Sequence, residues 1–206
     1  MAVTRRGARS APLKEEVNAL KRERILTEAR ALFFERGYQG TTLDAVAERL
    51  HVTKPVIYAH WTNKAELLAE ICERGTKHSL EAVERASKAS GSPKQRLANM
   101  VEEMCRVIID HQANVTVFFR EEKHVPPESV RRIDAWRSSF DDKLSALLHA
   151  GTEAGEFKVQ DVRLASLAIG GVITWMYAWY RPHGRLSPEE LGGRISRLVL
   201  NMVGAS

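Results

Sequence analysis

The points at which helices begin are marked along this chain, and they leave little room for a sheet. Ser92-Pro93-Lys94-Gln95 and Ser187-Pro188-Glu189-Glu190 each join an N-cap serine, a proline at the first helical position and a Gln or Glu that closes a capping box. Asn63-Lys64-Ala65-Glu66 is a third box without the proline. Asp161 caps an apolar segment, Pro126-Pro127 separates two others, and Gly37, Gly91, Gly155 and Gly184 stand where helices would stop. The best strand signal, Val115-Thr116-Val117-Phe118-Phe119, is short and isolated. The expectation is an all-α chain, and no internal repeat is visible.

Charge divides the chain. Residues 1–64 hold twelve Lys/Arg against seven Asp/Glu, whereas residues 65–206 hold nineteen against nineteen, so the whole net charge of +5 sits in the first third. That placement predicts an amino-terminal module facing a polyanion. Cys72 and Cys105 are too few for a disulfide scaffold or an iron–sulfur or zinc site, and they fit a cytoplasmic protein. No cofactor or metal is expected; His78, His111, His124, His149 and His183 lack ligand spacing. Residues 1–12 carry Arg5, Arg6 and Arg9 with no apolar run behind them, so they do not read as a secretory signal. Residues 164–180 are uncharged between Arg163 and Arg181, the lower limit for a membrane span. They read instead as a helix buried all round, with no membrane partner.

Residues 16–35 form one helix with Ile25, Ala29, Leu32 and Phe33 on a common face. Two short helices, 43–50 and 54–60, follow, and a longer one starts at Lys64. Val46, Ala47 and Leu50 can close a small core against Val52, Val56, Ile57 and Trp61, the small Ala47 permitting a close crossing. This is a helix-turn-helix, whose second helix enters the major groove of DNA. Thr53 as N-cap leaves Lys54 and Pro55 at the leading end of that helix. There an ammonium can donate to guanine and a proline ring can pack on a thymine methyl.

Gly37-Tyr38, the run from Thr41 to Ala47, and the run from Val52 to Leu68 resemble the TetR family of bacterial transcriptional regulators over residues 20–68. Two positions depart from that pattern. His51 stands where the family usually has glycine, which strains the backbone if the turn needs a positive φ, and Trp61 replaces a phenylalanine. The resemblance implies that Thr42, Tyr58, His60 and Lys64 hold phosphates, and their chemistry agrees. The alternatives are that Tyr58 packs its ring in the module, that Lys64 is a solvated charge and that His60 only caps a helix end. The tail 1–14 reads as disordered and basic, a minor-groove arm or merely a solubilising segment. Residues 15–65 are the DNA-binding domain, and 66–206 a helical effector-binding and dimerisation domain.

That second domain has an apolar excess. Helix 162–180 carries apolar side chains around its circumference, and the last helix presents Leu191, Ile195, Leu198, Val199 and Met202 at helical spacing. Pairing these two helices with their copies in a four-helix bundle hides the excess, with Gly170-Gly171 and Gly192-Gly193 allowing close approach. The resulting homodimer reads pseudo-palindromic double-stranded DNA. Phe118 to Glu122, Pro126-Pro127, and the run Trp175 to Pro182 with Gly184 to Ser187 resemble a TetR sub-group that responds to acyl-coenzyme A thioesters. A thioester effector needs an apolar slot and cations. Phe118, Trp136, Phe140, Trp175 and Trp179 are the candidates for the slot and Arg120, Arg181 or Arg185 for the cations, although aromatics at helical spacing also serve as core. The function expected is a repressor released by such an effector. The alternative, an enzyme acting on acyl-CoA thioesters, finds no nucleophile elbow, phosphate loop or metal set.

Overall fold

Five of the helices start where a side chain takes over an orphan backbone N–H. The computed structural model describes residues 10–205. Helix α1 spans Ser10–Arg36, α2 Leu43–Arg49, α3 Lys54–Tyr58, α4 Lys64–Lys88 and α5 Pro93–Asp110. They are followed by α6 Gln112–Glu121, α7 Pro127–Glu153, α8 Val162–Thr174, α9 Met176–Trp179 and α10 Pro188–Met202, with no strand among the described residues. Thr42, Asn63, Ser92 and Asp161 accept from the amides of Ala45, Glu66, Gln95 and Leu164. Ser187 and Glu190 form the reciprocal capping box. Gly37 and Gly155 end α1 and α7 with φ of +70° and +73°, a region open to glycine without a Cβ penalty.

Residues 1–9 of the basic tail, with Arg5, Arg6 and Arg9, lie outside the described residues. The rest of the tail, from Ser10, belongs to α1, so that helix begins six residues before the expected start at 16. Residues 115–119 are helical, inside α6. Asn114, Val117 and Phe118 turn one face of α6 to the core, and the Thr116 hydroxyl donates back to the Gln112 carbonyl at 2.8 Å.

Two cores share the chain. One joins Ile25, Leu32 and Phe33 of α1 with Val46 and Ala47 of α2, Ile57 of α3, Trp61, and Leu67, Leu68 and Ile71 of α4. It also takes Val117 and Phe118 of α6 and Ile133 of α7, so the expected boundary at 65/66 falls in the first turn of an unbroken helix whose buried residues serve both units. The other core packs α4, α5, α7, α8 and α10 around Met100, Val101, Leu144, Leu148, Ile169, Ile173 and Val199. Gly192 allows α10 to approach the backbone of Glu102 in α5 of the same chain, and within that chain a Cβ at Gly171 or Gly193 would have open space.

The expected helix 162–180 departs from expectation in two ways. It breaks at Trp175 into α8 and α9. Nor is it buried all round, because Ile169, Ile173 and Met176 face the core whereas Leu164, Leu167, Val172, Trp175 and Trp179 are exposed. The stretch Val162–Trp179 satisfies the length and composition of a membrane span, but its buried face is committed to the core.

Candidate DNA-binding surface and effector cavity

The turn between α2 and α3 takes its shape from His51, which sits at φ +54°, the left-handed conformation that glycine adopts freely. The Val52 amide donates to the Ala47 carbonyl at 3.0 Å, and the buried Val46, Ala47 and Ile57 fix the crossing of the two helices. Arg49 anchors α2 to α1 through Glu35 at 2.7 Å and Glu28 at 3.1 Å; that guanidinium holds the Glu35 carboxyl below its usual range. Trp61 is buried, and its indole N–H donates to Glu70 at 2.8 Å. Glu70 also accepts from Arg22 at 2.6 Å, and Arg22 lies over the indole ring. The tryptophan at this position thus carries a polar partner that phenylalanine would not need.

On the surface so formed, Thr42, Thr53, Lys54, Pro55 and Tyr58 are exposed together on α2 and α3 or at their first ends. The Thr53 hydroxyl makes no cap bond, consistent with Pro55 occupying the start of α3. Lys54 is not a bare cation: its Nζ donates to Asp44 Oδ2 at 2.6 Å, and that bond raises the ammonium pKa. His60 is half-buried at the end of the module, its ring 5.5 Å from that of Trp61. Lys64 is half-buried and is engaged within the chain. Its Nζ donates to the Tyr38 carbonyl at 2.6 Å and lies over the Tyr38 ring, because the first turn of α4 packs against the end of α1.

A cavity of about 370 Å³ opens between α4, α5, α6, α7 and α8, within the range of small-molecule sites. Of the eight residues proposed for an effector, Phe118, Trp136 and Phe140 line it. Trp175 and Trp179 do not, because the break after Thr174 leaves Trp175 62% and Trp179 45% exposed. Arg120 and Arg181 line a neighbouring pocket with Phe34, Tyr177 and Tyr180. Arg185 lines neither pocket. Phe119 borders both and stacks on Tyr177 at 4.8 Å between centroids, so the predicted slot and the predicted cations are adjacent compartments.

Sequence reasoning missed the polar groups of the cavity, Thr76, Ser79, Arg137, Asp141 and Thr174. The Arg137 guanidinium lies 4.7 Å from the Phe118 centroid. Burial raises the pKa of Asp141, one turn further along α7. The available signal was spacing, since Arg137 and Asp141 each follow a proposed aromatic, Trp136 and Phe140, by one residue. Cys72 also lines the wall; burial pushes its thiol far above the ordinary range, so it acts as a small apolar group.

Helix α6 joins this cavity to α1, the helix to which Arg49 ties α2. Val115, Phe118 and Phe119 form part of the cavity wall. From the same helix, the buried Asn114 accepts from Arg30 of α1 at 2.9 Å and donates to the Ile71 carbonyl of α4 at 2.9 Å. Arg120 lies over Phe34 of α1, 5.2 Å from its centroid.

Comparison with known proteins bears on both halves. Residues 25–71 match the model of bacterial regulatory proteins of the tetR family, and residues 90–203 match that of the tetracyclin repressor-like C-terminal domain. The HTH-type transcriptional repressor KstR2 of Mycobacterium tuberculosis is 28% identical over 189 residues, 90% of this chain and 93% of its own. The structure of the TetR family regulator PfmR from Thermus thermophilus is 32% identical, with a TM-score of 0.80 over 86% of this chain and 97% of its own. AibR, solved in complex with isovaleryl coenzyme A and operator DNA, is 25% identical, with a TM-score of 0.73 over 89% and 97%. With both halves matched in order, and with the helix-turn-helix surface in place, the chain belongs to the TetR family of bacterial regulatory proteins and is a DNA-binding transcriptional regulator.

Proposed function

We propose that this regulator is a cytoplasmic homodimeric repressor, released from a pseudo-palindromic operator by an acyl-coenzyme A thioester, and not an enzyme that turns such thioesters over. Residues 15–65 serve DNA recognition, residues 66–206 effector binding and dimerisation, with α4 as the shared strut. Lys54 and Pro55 meet base edges, while Thr42, Thr53, Tyr58 and His60 meet phosphates. Two copies pair through the exposed faces of α8 and α10, where Leu164, Leu167, Leu198 and Met202 are uncovered in the single chain.

The observation that carries the effector reading is the dual position of α6. It lines the cavity with Phe118 and grips α1 through Asn114 and Arg120. An acyl group that fills the cavity pushes on the helix that positions the reading head. Cavity size favours the acyl portion alone; the phosphates then fall to Arg120 and Arg181 in the adjoining pocket, past the Phe119–Tyr177 stack. The AibR complex with isovaleryl coenzyme A supports this class of ligand, and the repressor KstR2 supports the direction of control. Release requires the thioester to bind the DNA-incompetent conformer more tightly, since equal affinity would shift nothing.

The test is a mobility-shift assay on the promoter beside its own gene, with acyl-CoA thioesters of graded chain length, free coenzyme A and the free acids. Thioesters are expected to dissolve the complex at constant thioester concentration, without hydrolysis. Release by the free acids alone would remove coenzyme A from the reading, and turnover would return the enzyme alternative.

A further inference from the structure

Asp44 and Lys54 face each other across the helix-turn-helix, one near the start of α2 and the other at the start of α3, with Nζ to Oδ2 at 2.6 Å. Their side chains are 51% and 64% exposed, so the pair adds little to folding stability. Three acids near it are bound to framework groups. Glu28 and Glu35 hold Arg49, and Glu66 accepts from the Thr62 amide and hydroxyl. Asp44 alone among these is bound to a side chain proposed to read bases. A carboxylate on a surface that meets a polyanion opposes binding, so a pair placed there needs a reason outside stability.

A lysine on a four-carbon stem swings freely and satisfies itself on any phosphate. Held by a neighbouring carboxylate, the same ammonium is fixed in one direction and shielded from the backbone, while its remaining hydrogens stay available to guanine O6 and N7. We propose that Asp44 is a positioning residue that sets sequence discrimination: it holds Lys54 for base edges and suppresses its capture by phosphates, trading overall affinity for specificity. The proposal rests on the reading of Lys54 as a base contact.

The test uses the full-length protein and its Asp44→Asn, Lys54→Ala and doubly substituted variants. Each is titrated by fluorescence anisotropy against duplexes that the unsubstituted protein selects from a random pool, and against a scrambled duplex, over a series of salt concentrations. Asp44→Asn is expected to tighten binding to scrambled DNA, to steepen its salt dependence by about one counter-ion, and to lower the selected-to-scrambled ratio by about tenfold. In the Lys54→Ala background the same substitution should leave the ratio unchanged. If Asp44→Asn tightens both duplexes equally while Lys54→Ala lowers the ratio, Asp44 contributes only net charge; the positioning role is then overturned while the Lys54 reading stands. If Lys54→Ala leaves the ratio intact, the base contact itself is wrong and the proposal falls with it. Unchanged urea midpoints in both single variants would confirm that neither effect comes from unfolding.

Discussion

At the scale of single residues, the strained histidine is the plainest case. His51 holds a positive φ that a Cβ disfavours, and its standing where the TetR pattern usually has glycine made that strain legible from sequence. His51→Gly should stabilise the fold by about 1 kcal/mol, read as a higher urea midpoint; a lower midpoint would mean the imidazole is held by contacts worth more than the strain. His111 was not legible. It stacks on His78 at 4.4 Å between ring centroids, and burial, with the charges of His78, Arg30 and Arg74, lowers its pKa. The unfolded chain therefore binds a proton below the ordinary histidine range that the folded chain resists, so stability falls as pH drops through and below about 6.5. His111→Gln should flatten that part of a stability–pH curve. An unchanged slope would place the acid sensitivity elsewhere, because Glu81 lies 3.3 Å from His78 and Asp110 opposes the shift of His111.

At the scale of elements, helix starts could be read because a cap is a local event spanning four residues. The start of α1 moved by six residues in an exposed stretch, where no packing marks an end. Residues 115–119 carry β-branched and aromatic side chains that suit a strand, yet α6 forms because Asn114, Val117 and Phe118 share one face that is buried between α1, α4 and α7. Asn114 was invisible for the same reason: Arg30 and Ile71, its partners, are 84 and 43 residues away. Asn114→Ala should destabilise the protein by about 1–3 kcal/mol, since it removes one bond to the Ile71 carbonyl and leaves the Arg30 guanidinium without its acceptor. If α6 transmits the effector signal, the surviving protein should also keep its operator affinity while needing more thioester for release. Unaltered thioester sensitivity in a shift assay would assign the Arg30–Asn114 bond to stability alone. The break at Trp175 was equally hidden, and it moved two of the proposed cavity aromatics to the surface.

At the scale of the whole molecule, the charge asymmetry and the apolar excess of the second half point, in the sequence alone, to a DNA-reading module on a dimerising body. What they lacked was direction. Sequence shows that 162–180 is apolar around its circumference, but only the packing shows that Ile169, Ile173 and Met176 face inward while Leu164, Leu167 and Trp175 remain uncovered. Leu164→Glu, on the uncovered side, should leave the single-chain fold within about 0.5 kcal/mol of the original and shift sedimentation from dimer to monomer. A variant that still sediments as a dimer would move the interface to another face. The account as a whole stands on the link between cavity and reading head. Its most direct test is the affinity for one promoter duplex measured with and without a saturating acyl-CoA thioester whose binding is followed independently, by calorimetry. The expected result is a bound thioester and a DNA affinity reduced by tenfold or more, of the order of allosteric coupling energies of about 1–3 kcal/mol. A thioester that binds in the cavity and leaves the DNA affinity unchanged would contradict it.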